Sequence, residues 1–510
     1  MTDKIISLFE SLSERQKLFL LIGVAFILRL YALLMAQGIA YDSAAYGFMA
    51  RDFMKGNIDK ALAIPAHPLY PLLISLFSMD TLKVEMTGRL ISLFFGTFTI
   101  LPLYLLVKEA IGQRTAIFST LFYTFHPYLV TYSGMMLTEA TYWGILVLSV
   151  YFFWTGLNRD KLWKIALSGA FLGLAYLTRP EGIGYMAVYL AWIVVDGFLK
   201  KMWVKPLVSI GIMISSVFII SSPYLVYIHR ETGKWLVSKK ALEVQSLLFN
   251  RGEDVKGVAP GDPDKEDSKI VWMARNVVHH FPYVVYHYLR AYHFSLWPIL
   301  FFGLIRIRRE NYAFESFLFS LVLFHMLSLA TFLPSTIRFS VPIIPLSLFW
   351  AGAGILEMKR YMEKIRRSNP EKGIYLFITL VILTQLPQSL KPERGHRAFQ
   401  KQVGLWLKQN TPSDAIIMSN SPQEAFYADR EFMMLPEESP SLRDSEKSYD
   451  EIIRYAKLKG VRYLLVNKNT HERNPGLMDI LRSKEAGQLK DLKELFKDRD
   501  QSLVIYEVIY

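Results

Sequence analysis

The stretch LFLLIGVAFILRLYALLMA at residues 18–36, followed by QGIAYDSAAY at residues 37–46, decides the fold class. A membrane-spanning helix needs about 20 consecutive, mostly apolar residues, and Leu18–Ala36 meets that requirement. This run is too long for a cleavable signal peptide, and its flanks are typical of a signal anchor. The sequence therefore predicts a chain held in a membrane, with a polar, carboxylate-bearing segment directly after the first span.

The composition supports a membrane protein. The chain has 510 residues, of which 52% are hydrophobic and 20% are charged, whereas a soluble domain carries about 25% charged residues. Such an apolar chain without a tripeptide repeat is neither disordered nor collagen-like. The sequence contains no cysteine, which excludes disulfides, thiolate zinc sites, iron–sulfur clusters and a cysteine nucleophile.

Hydrophobic runs predict an α-helical polytopic membrane protein with about 11 transmembrane helices. The predicted spans are Leu18–Ala36, Val84–Val107, Thr115–Tyr132, Ala140–Leu157, Ile165–Thr178, Gly182–Leu199, Pro206–Ile228, Tyr292–Ile305, Ala313–Phe332, Val341–Leu356 and Ile374–Leu390. Several are short or interrupted by proline or glycine, which a helix bundle tolerates when neighbouring helices satisfy the freed backbone groups.

The distribution of lysine and arginine predicts the orientation. With a cytoplasmic N-terminus, the inner loops are rich in these residues, and the three short outer turns contain only Arg179 and Arg338. The net charge is +13, and almost all of the excess lies in residues 1–390. Basic loops beside a lipid bilayer explain this excess better than nucleic-acid binding does. We expect a multi-pass protein of the cytoplasmic (inner) membrane with no nucleic-acid partner.

The sequence predicts two domains. Residues 1–390 form the membrane domain, with long outer loops at residues 37–85 and 229–291. Residues 391–510 form an extracytoplasmic α/β domain, in which periodicity predicts helices at Ala398–Gln409 and Tyr449–Lys459 and strands at Ala415–Met418, Val461–Val466 and Leu503–Val508. This domain contains no catalytic motif, which favours a lid, docking or structural role over selection of an acceptor.

The first outer loop contains two candidate functional residues. Asp42, in the segment Tyr41–Tyr46, is a carboxylate at the mouth of a bundle and could act as a general base; alternatively it caps a helix. Tyr46 at the end of this segment is a candidate substrate contact. His67, followed by Pro68, could bind a phosphate or an acceptor; alternatively it is an ordinary turn or capping residue.

Ionisable residues at membrane depth are costly and suggest function. The candidates for binding substrate are Lys83, Arg89, Glu139, Arg179, Glu181 and Arg338. Lys83 and Arg89 could meet a lipid phosphate or anchor a helix by snorkelling, and Glu139 could cap a helix. Arg179 and Glu181 form either a structural ion pair or part of a polar cavity. The guanidinium of Arg338 suits a phosphate, with a headgroup anchor as the alternative.

The sequence lacks the usual motifs of nucleotide and metal chemistry. No phosphate-binding loop, dinucleotide-binding glycine motif, zinc-protease motif or serine-hydrolase elbow occurs in a useful context. We therefore expect no nucleotide hydrolysis, no organic cofactor and no metal ligand among the site residues, although a divalent metal is not excluded.

An ordered set of short motifs resembles a known family. The set comprises the outer-loop Asp42, His67-Pro68 with Tyr70-Pro71, Gly88–Ser92, His126-Pro127, Leu137–Glu139, Leu177–Gly182, and Arg338-Phe339 with two following prolines. Over residues 15–390 this order is similar to bacterial and archaeal GT-C glycosyltransferases, in particular the branch with protein O-mannosyltransferases and the lipid A aminoarabinose transferase.

The resemblance implies an enzyme that uses a polyprenyl-phosphate-linked sugar on the outer face of the membrane. It implies that Asp42 is the catalytic carboxylate, that Arg338, with Lys83 and Arg179, lies near the donor phosphate, and that His67, Glu139 and Glu181 lie around the cavity. Many relatives have a second acidic residue after this aspartate, where this chain has Ser43, which weakens a metal-assisted mechanism.

The expected reaction is an inverting transfer of the sugar to an acceptor lipid, glycan or protein. Two other functions stay open from the sequence. A transporter or flippase of lipid-linked sugars would share a charged cavity, but such transporters often have two matching halves, and the sequence has no such repeat. An O-antigen ligase or another glycan polymerase would use a diphosphate-linked donor.

Overall fold

The computed structural model describes residues 11–510 apart from 81–82, 240–268, 307–310, 333–335, 366–369, 392–395, 437–444, 468–469, 471–472, 484–488 and 499–502. The described part is mostly helical and ends in a small mixed α/β unit. This architecture confirms the predicted fold class of a helical membrane protein with a C-terminal α/β domain.

The described part of the chain contains α-helices along most of its length. They are α1 Glu14–Met35, α2 Tyr41–Met54, α3 Ile58–Ala63, α4 Leu69–Phe77, α5 Val84–Phe98, α6 Ile100–Ala110, α7 Gln113–Phe125, α8 Pro127–Ser133, α9 Thr138–Asn158, α10 Leu162–Thr178, α11 Glu181–Lys200, α12 Val204–Thr232, α13 Lys269–Tyr292, α14 Trp297–Ile305, α15 Tyr312–Phe332, α16 Ile337–Ser340, α17 Ile344–Lys364, α18 Pro370–Ser389, α19 His396–Asn410, α20 Pro422–Ala428, α21 Ser445–Leu458 and α22 Pro475–Ser483.

Seven helical segments of the described chain are long and apolar enough to cross a membrane. They are Glu14–Met35, Val84–Ala110, Thr138–Asn158, Glu181–Lys200, Val204–Thr232, Tyr312–Phe332 and Ile337–Lys364, and two shorter apolar helices cover Leu162–Thr178 and Phe294–Ile305. Each of these nine segments overlaps a predicted span. The total of eleven spans stays a prediction.

Two predicted spans are interrupted. The run Thr115–Tyr132 is divided into α7 and α8, because His126 has the extended backbone that a residue before proline favours and Pro127 starts a new helix. The run Tyr292–Ile305 begins at the end of α13, passes through a 3₁₀ turn at Phe294–Leu296 and continues as α14. Hydrophobicity alone does not indicate these breaks, since the residues on both sides are apolar.

The C-terminal residues form a five-stranded sheet. Its strands are β1 Ile416–Ser419, β2 Glu431–Met434, β3 Val461–Asn467, β4 Leu492–Lys497 and β5 Leu503–Val508, in the order β2-β1-β3-β5-β4. β1 pairs in parallel with β2 and β3, whereas β5 pairs antiparallel with β3 and β4. The sequence predicted β1, β3 and β5 but missed the two edge strands, because β2 has only four residues and charged residues interrupt the apolar residues of β4.

The chain divides into two compact units. The first contains Met1–Ala36, Phe53–Ser78 and Met86–Pro392, and the second contains Gln37–Asp52, Met79–Glu85 and Glu393–Tyr510. Two pieces of the first outer loop thus group with the C-terminal residues. The core of the first unit is built on the buried faces of α6, α7, α9, α15 and α17, and the second unit has buried clusters on both sides of its sheet.

Arginine side chains fasten the N-terminal part of the first unit. Arg29 of α1 is fully buried and donates hydrogen bonds to the carbonyl oxygens of Ala25, Tyr123 and Thr124, at 3.2–3.3 Å. Arg89 of α5 donates to the carbonyl oxygens of Leu33 and Ala36, at 3.2 and 2.7 Å. Because the last carbonyls of a helix lack intrahelical partners, Arg89 satisfies the end of α1.

A buried carboxyl group in the second unit makes stability depend on pH. Glu424 of α20 is 2% exposed, and burial raises its pKa from 4.5 to about 7, against the opposite effect of hydrogen bonds from Ser421 and Gln400. Between these two pH values the unfolded chain loses the proton that the folded chain keeps. The stability that this group contributes is therefore complete below pH 4.5 and is lost as the pH rises through about 7.

We expect Glu424→Gln to remove this dependence. Relative to the variant, the wild type should lose about 3 kcal/mol of stability in the second unit between pH 4 and pH 8. The measurement is hydrogen exchange of the backbone amides in β1 on the full chain at each pH. The ratio of the wild-type rate to the variant rate reports the difference in stability, because the intrinsic exchange rates are the same in both proteins and cancel. An unchanged ratio across this range would contradict the assignment.

Candidate functional site

A buried carboxylate lies at the centre of a charged cluster in the first unit. Glu139 is in the first turn of α9 and is fully buried. Its Oε1 atom accepts hydrogen bonds from Nη1 of Arg179, at 3.2 Å, and from Nε of Arg338. One carboxylate oxygen therefore joins two cations that lie far apart in the sequence.

A second carboxylate completes the cluster. Arg179 lies in the turn between α10 and α11, and its Nη2 atom donates to Oε1 of Glu181, the first residue of α11, at 3.1 Å. The guanidinium also faces the rings of Tyr142 and Phe339, at 5.8 and 5.6 Å from their centroids. Two arginines and two glutamates balance in charge, which lowers the cost of keeping them at membrane depth.

Exposure differs among these four side chains. The side chains of Glu139, Arg179 and Glu181 are 0%, 10% and 12% exposed, whereas that of Arg338 is 25% exposed. Arg338 is thus the member of the cluster that a bound anion reaches most easily. A guanidinium of this kind binds phosphate through paired hydrogen bonds.

Polar atoms next to the cluster lack protein partners. Oε2 of Glu139 and Oγ1 of Thr138 are buried and have no hydrogen-bond partner among the described residues. Buried polar atoms are nearly always paired with protein, water or ligand. These atoms therefore indicate a place for water or for a polar group of a substrate beside Glu139.

His325, which sequence reasoning missed, supports the segment that carries Arg338. Its Nε2 atom donates to the carbonyl oxygen of Phe339 at 2.9 Å, so that its Nδ1 atom accepts from the hydroxyl of Tyr185 at 2.8 Å. The imidazole thereby links α11, α15 and α16. His325 lies in an otherwise apolar stretch of α15, and its distance from Arg338 along the sequence matches no known motif. The sequence therefore did not indicate that the two residues lie close together.

His67 and Arg89 lie in the first unit in other surroundings. His67 is buried, packs edge-on against the rings of Tyr176 and Tyr224, and is 3.2 Å from the hydroxyl of Ser238. Arg89 is buried against the end of α1, so its guanidinium contacts backbone carbonyls and does not extend towards a headgroup as a snorkelling anchor would. Substrate binding by either residue stays a prediction.

The remaining predicted site residues belong to the second unit. Asp42 is the second residue of α2, which starts at Tyr41, so it does not occupy the cap position that was its alternative interpretation. Tyr46, one turn later, is 6% exposed. Lys83 is exposed and lies 3.7 Å from the carboxylate of Asp80. The catalytic and binding roles of these three residues stay predictions.

Metal chemistry receives no geometric support from the described residues. Among them, no three histidine, aspartate or glutamate side chains come together as a metal-binding group. The carboxylates of Glu139 and Glu181 are each engaged by Arg179. The cluster is consequently suited to recognising an anion and a polar acceptor.

Part of the chain matches a family model, and the chain is similar in fold to several solved structures. Residues 64–227 match the sequence model of a family described as dolichyl-phosphate-mannose-protein mannosyltransferase. No curated protein sequence matches the chain significantly. The family match includes Glu139, Arg179 and Glu181 but ends before Arg338.

Three solved structures have a similar fold. ArnT from Cupriavidus metallidurans bound to undecaprenyl phosphate has a TM-score of 0.62 and 12% identity, over 96% of this chain and 98% of that one. The Archaeoglobus fulgidus oligosaccharyltransferase in its apo form has a TM-score of 0.54 and 12% identity, over 91% of this chain and 71% of that one. The arabinofuranosyltransferase AftD from Mycobacteria has a TM-score of 0.52 and 13% identity, over 98% of this chain and 42% of that one.

Neutralising Glu139 should destabilise the first unit. In Glu139→Gln the buried Arg179 and the partly exposed Arg338 lose their shared counter-ion, and breaking a buried ion pair costs about 3–5 kcal/mol. Glu315→Gln is a matched control, since Glu315 pairs with Arg306 at similar burial and lies outside this cluster. Thermal unfolding in detergent should show a loss of stability for both variants. A Glu139→Gln protein as stable as the wild type would contradict the shared pairing.

Proposed function

We propose that this chain is a membrane glycosyltransferase of the GT-C superfamily that transfers a sugar from a polyprenyl-phosphate carrier to an acceptor outside the cytoplasm. The shared fold and the family match over residues 64–227 support this proposal. The observation that carries this proposal is the charged cluster of Glu139, Arg179, Glu181 and Arg338. It offers a partly exposed guanidinium to a phosphate and buried carboxylates beside it.

The donor class follows from the charge and location of Arg338. A lipid-linked sugar phosphate carries its negative charge next to the bond that breaks, and its polyprenyl chain needs an apolar environment. Arg338 begins the apolar segment Ile337–Lys364, so it is available to a phosphate whose lipid lies in the membrane. The similar ArnT structure contains undecaprenyl phosphate, which supports the same class of carrier for this chain.

The proposed reaction is a single displacement with inversion. The carboxylate of Asp42 accepts a proton from the hydroxyl or amine of the acceptor while that atom attacks the anomeric carbon. The bond between the anomeric carbon and the phosphate oxygen breaks, and polyprenyl phosphate leaves with the electron pair. Arg338 stabilises the charge that develops on the leaving phosphate. The phosphate ester is already activated, so no nucleotide is consumed.

The acceptor is a nucleophile on a lipid, a glycan or a protein. The family that matches residues 64–227 is described as acting on protein, and one Archaeoglobus fulgidus oligosaccharyltransferase structure of the same fold holds an acceptor peptide. The structures with this fold nevertheless include an arabinofuranosyltransferase. The proposal therefore requires an attacking hydroxyl or amine and does not restrict the molecule that carries it.

Replacement of Asp42 tests the mechanism. General-base catalysis contributes about 10²–10⁴-fold, so Asp42→Asn should lower kcat by that factor while the protein stays folded. The assay supplies a radiolabelled sugar on polyprenyl monophosphate in detergent and measures acceptor-dependent release of polyprenyl phosphate. Asp59→Asn is a matched control, because Asp59 is an exposed carboxylate of the same outer loop, and the activity of this variant should equal that of the wild type.

Three results would each refute part of the proposal. Wild-type turnover in folded Asp42→Asn would remove this carboxylate from the chemistry. Release that occurs only with a diphosphate-linked donor would assign the chain to the ligase or polymerase type of reaction. Movement of intact donor across vesicles without any release would instead indicate a flippase.

The absence of native cysteine in the sequence allows a direct test of orientation. Lys161 and Lys490 are both exposed, and the bias of basic residues predicts that Lys161 is cytoplasmic and Lys490 extracytoplasmic. In intact spheroplasts, a membrane-impermeant thiol reagent should label Lys490→Cys but not Lys161→Cys, and detergent should expose both. The reverse pattern would place the second unit in the cytoplasm and contradict the proposed outer-face reaction.

A further inference from the structure

The helix that carries Asp42 is packed against C-terminal residues within the second unit. The ring of Phe48, on α2, stacks parallel to Phe432 of β2 with centroids 6.2 Å apart. It also meets Phe426 of α20 edge-on, with centroids 6.0 Å apart. Aromatic pairs at these distances contribute beyond the area they bury. α2 is thus fixed by side chains that come from more than 370 positions later in the sequence.

Two glycines allow the closest approaches. A Cβ atom at Gly47 would lie 2.2 Å from the ring of Phe426, and one at Gly38 would lie 2.6 Å from the carbonyl oxygen of Arg397. Both distances are too short for a Cβ atom. At Gly38 the atom in the way belongs to the backbone of Arg397 and therefore cannot rotate aside as a side chain could. Asp42 lies between these two glycines. Any larger side chain at either position must therefore shift the segment that carries Asp42 or shift its partner.

Arg51 fixes the other end of α2. Its Nη1 atom lies 3.2 Å from Oδ1 of Asp429 and donates to the carbonyl oxygen of Phe426 at 3.0 Å. Its guanidinium also covers the ring of Phe426, at 4.2 Å from the centroid. The side chain of Arg51 is only 9% exposed, so water screens this pair less than it screens a surface ion pair.

The same short helix also holds the far end of the first outer loop. Glu85, which is the last residue of the second piece of that loop, accepts a hydrogen bond from the hydroxyl of Tyr427 at 3.1 Å and is 3.4 Å from Nζ of Lys401. Phe426 and Tyr427 are neighbours on α20. One helix of seven residues thus contacts both pieces of the loop that belong to the second unit.

The contacts of Gly38, Gly47, Phe48 and Arg51 all hold one segment of the chain, and that segment carries the proposed base. A general base must be held within about 0.5 Å of its productive position by residues that are themselves fixed. We propose that α20 and the residue that follows it are a positioning element that sets the location of the Asp42 carboxylate. Phe426 acts through its contact with Gly47, and Asp429 acts through its ion pair with Arg51. This inference rests on the proposed function, and it assigns a catalytic task to the C-terminal unit.

The sharpest test inserts and then relieves a single steric contact. Gly47→Ala should lower kcat about tenfold to a hundredfold, because a displacement near 1 Å is enough for such a loss. The KM for the lipid-linked donor should stay unchanged, since Arg338 and its partners are untouched. Phe426→Leu makes room for the added methyl group, so the double variant Gly47→Ala/Phe426→Leu should recover most of the lost kcat.

A second pair of variants tests the ion pair against a matched control. Arg51→Met should lower kcat, and Arg51→Lys should restore part of it. Lys457→Met removes another ion pair of the same unit, with Asp491 at 2.7 Å, and should leave kcat unchanged. The acid limb of the kcat–pH profile should shift in Gly47→Ala and Arg51→Lys but not in Lys457→Met, because only the first two change the surroundings of Asp42.

The outcomes separate this inference from the proposed function. An inactive Asp42→Asn with fully active Gly47→Ala and Arg51→Met would overturn the positioning role and leave the reaction intact. An active Asp42→Asn would refute the base itself. If Gly47→Ala fails to fold, Arg51→Lys and the pH profile decide alone, and an unshifted profile with wild-type kcat would overturn the inference. Equal losses in Lys457→Met and Arg51→Met would also overturn it, since they would reflect general destabilisation.

Discussion

The pairing of one glutamate with two arginines is the interaction on which the first unit depends. Glu139 neutralises Arg179 and Arg338 at a depth where an unpaired charge costs several kcal/mol, and the three residues come from α9, the α10–α11 turn and α16. Their mutual need for a counter-ion draws these distant segments together. His325 and Tyr185 then fix the backbone beside Arg338, so the cluster sets the position of the guanidinium that is proposed to meet the donor phosphate.

This arrangement also explains how the chain keeps cations in an apolar region without a ligand. The arginine that is best placed to meet a donor phosphate is already bonded to a carboxylate. A phosphate that reaches Arg338 therefore competes with Glu139, and Glu139 keeps Arg179 as its partner. The polar atoms beside the carboxylate that lack protein partners leave room for such a rearrangement.

Much of the architecture could be predicted from the sequence, because apolar runs and the placement of basic residues are strong signals. The sequence indicated Glu139, Arg179, Glu181 and Arg338 one by one, because ionisable residues at membrane depth are costly, and it offered Arg179 and Glu181 as an ion pair. It did not predict that Glu139 joins Arg179 to Arg338. His325 and Arg29 were missed because each is an isolated ionisable residue within an otherwise apolar stretch of its helix. The grouping of α2 with the C-terminal sheet could not be predicted either, since it depends on aromatic and glycine contacts between segments remote in sequence.

The sheet of the second unit has a consequence for how copies of the protein coexist. Its two borders are β2, which has four residues, and β4, along which the exposed Lys493 and Lys497 alternate with less exposed neighbours. A short border and a row of lysines both discourage a strand from another molecule from adding to a sheet. Crowded side by side in a bilayer, these enzymes should consequently resist fusing their sheets into aggregates.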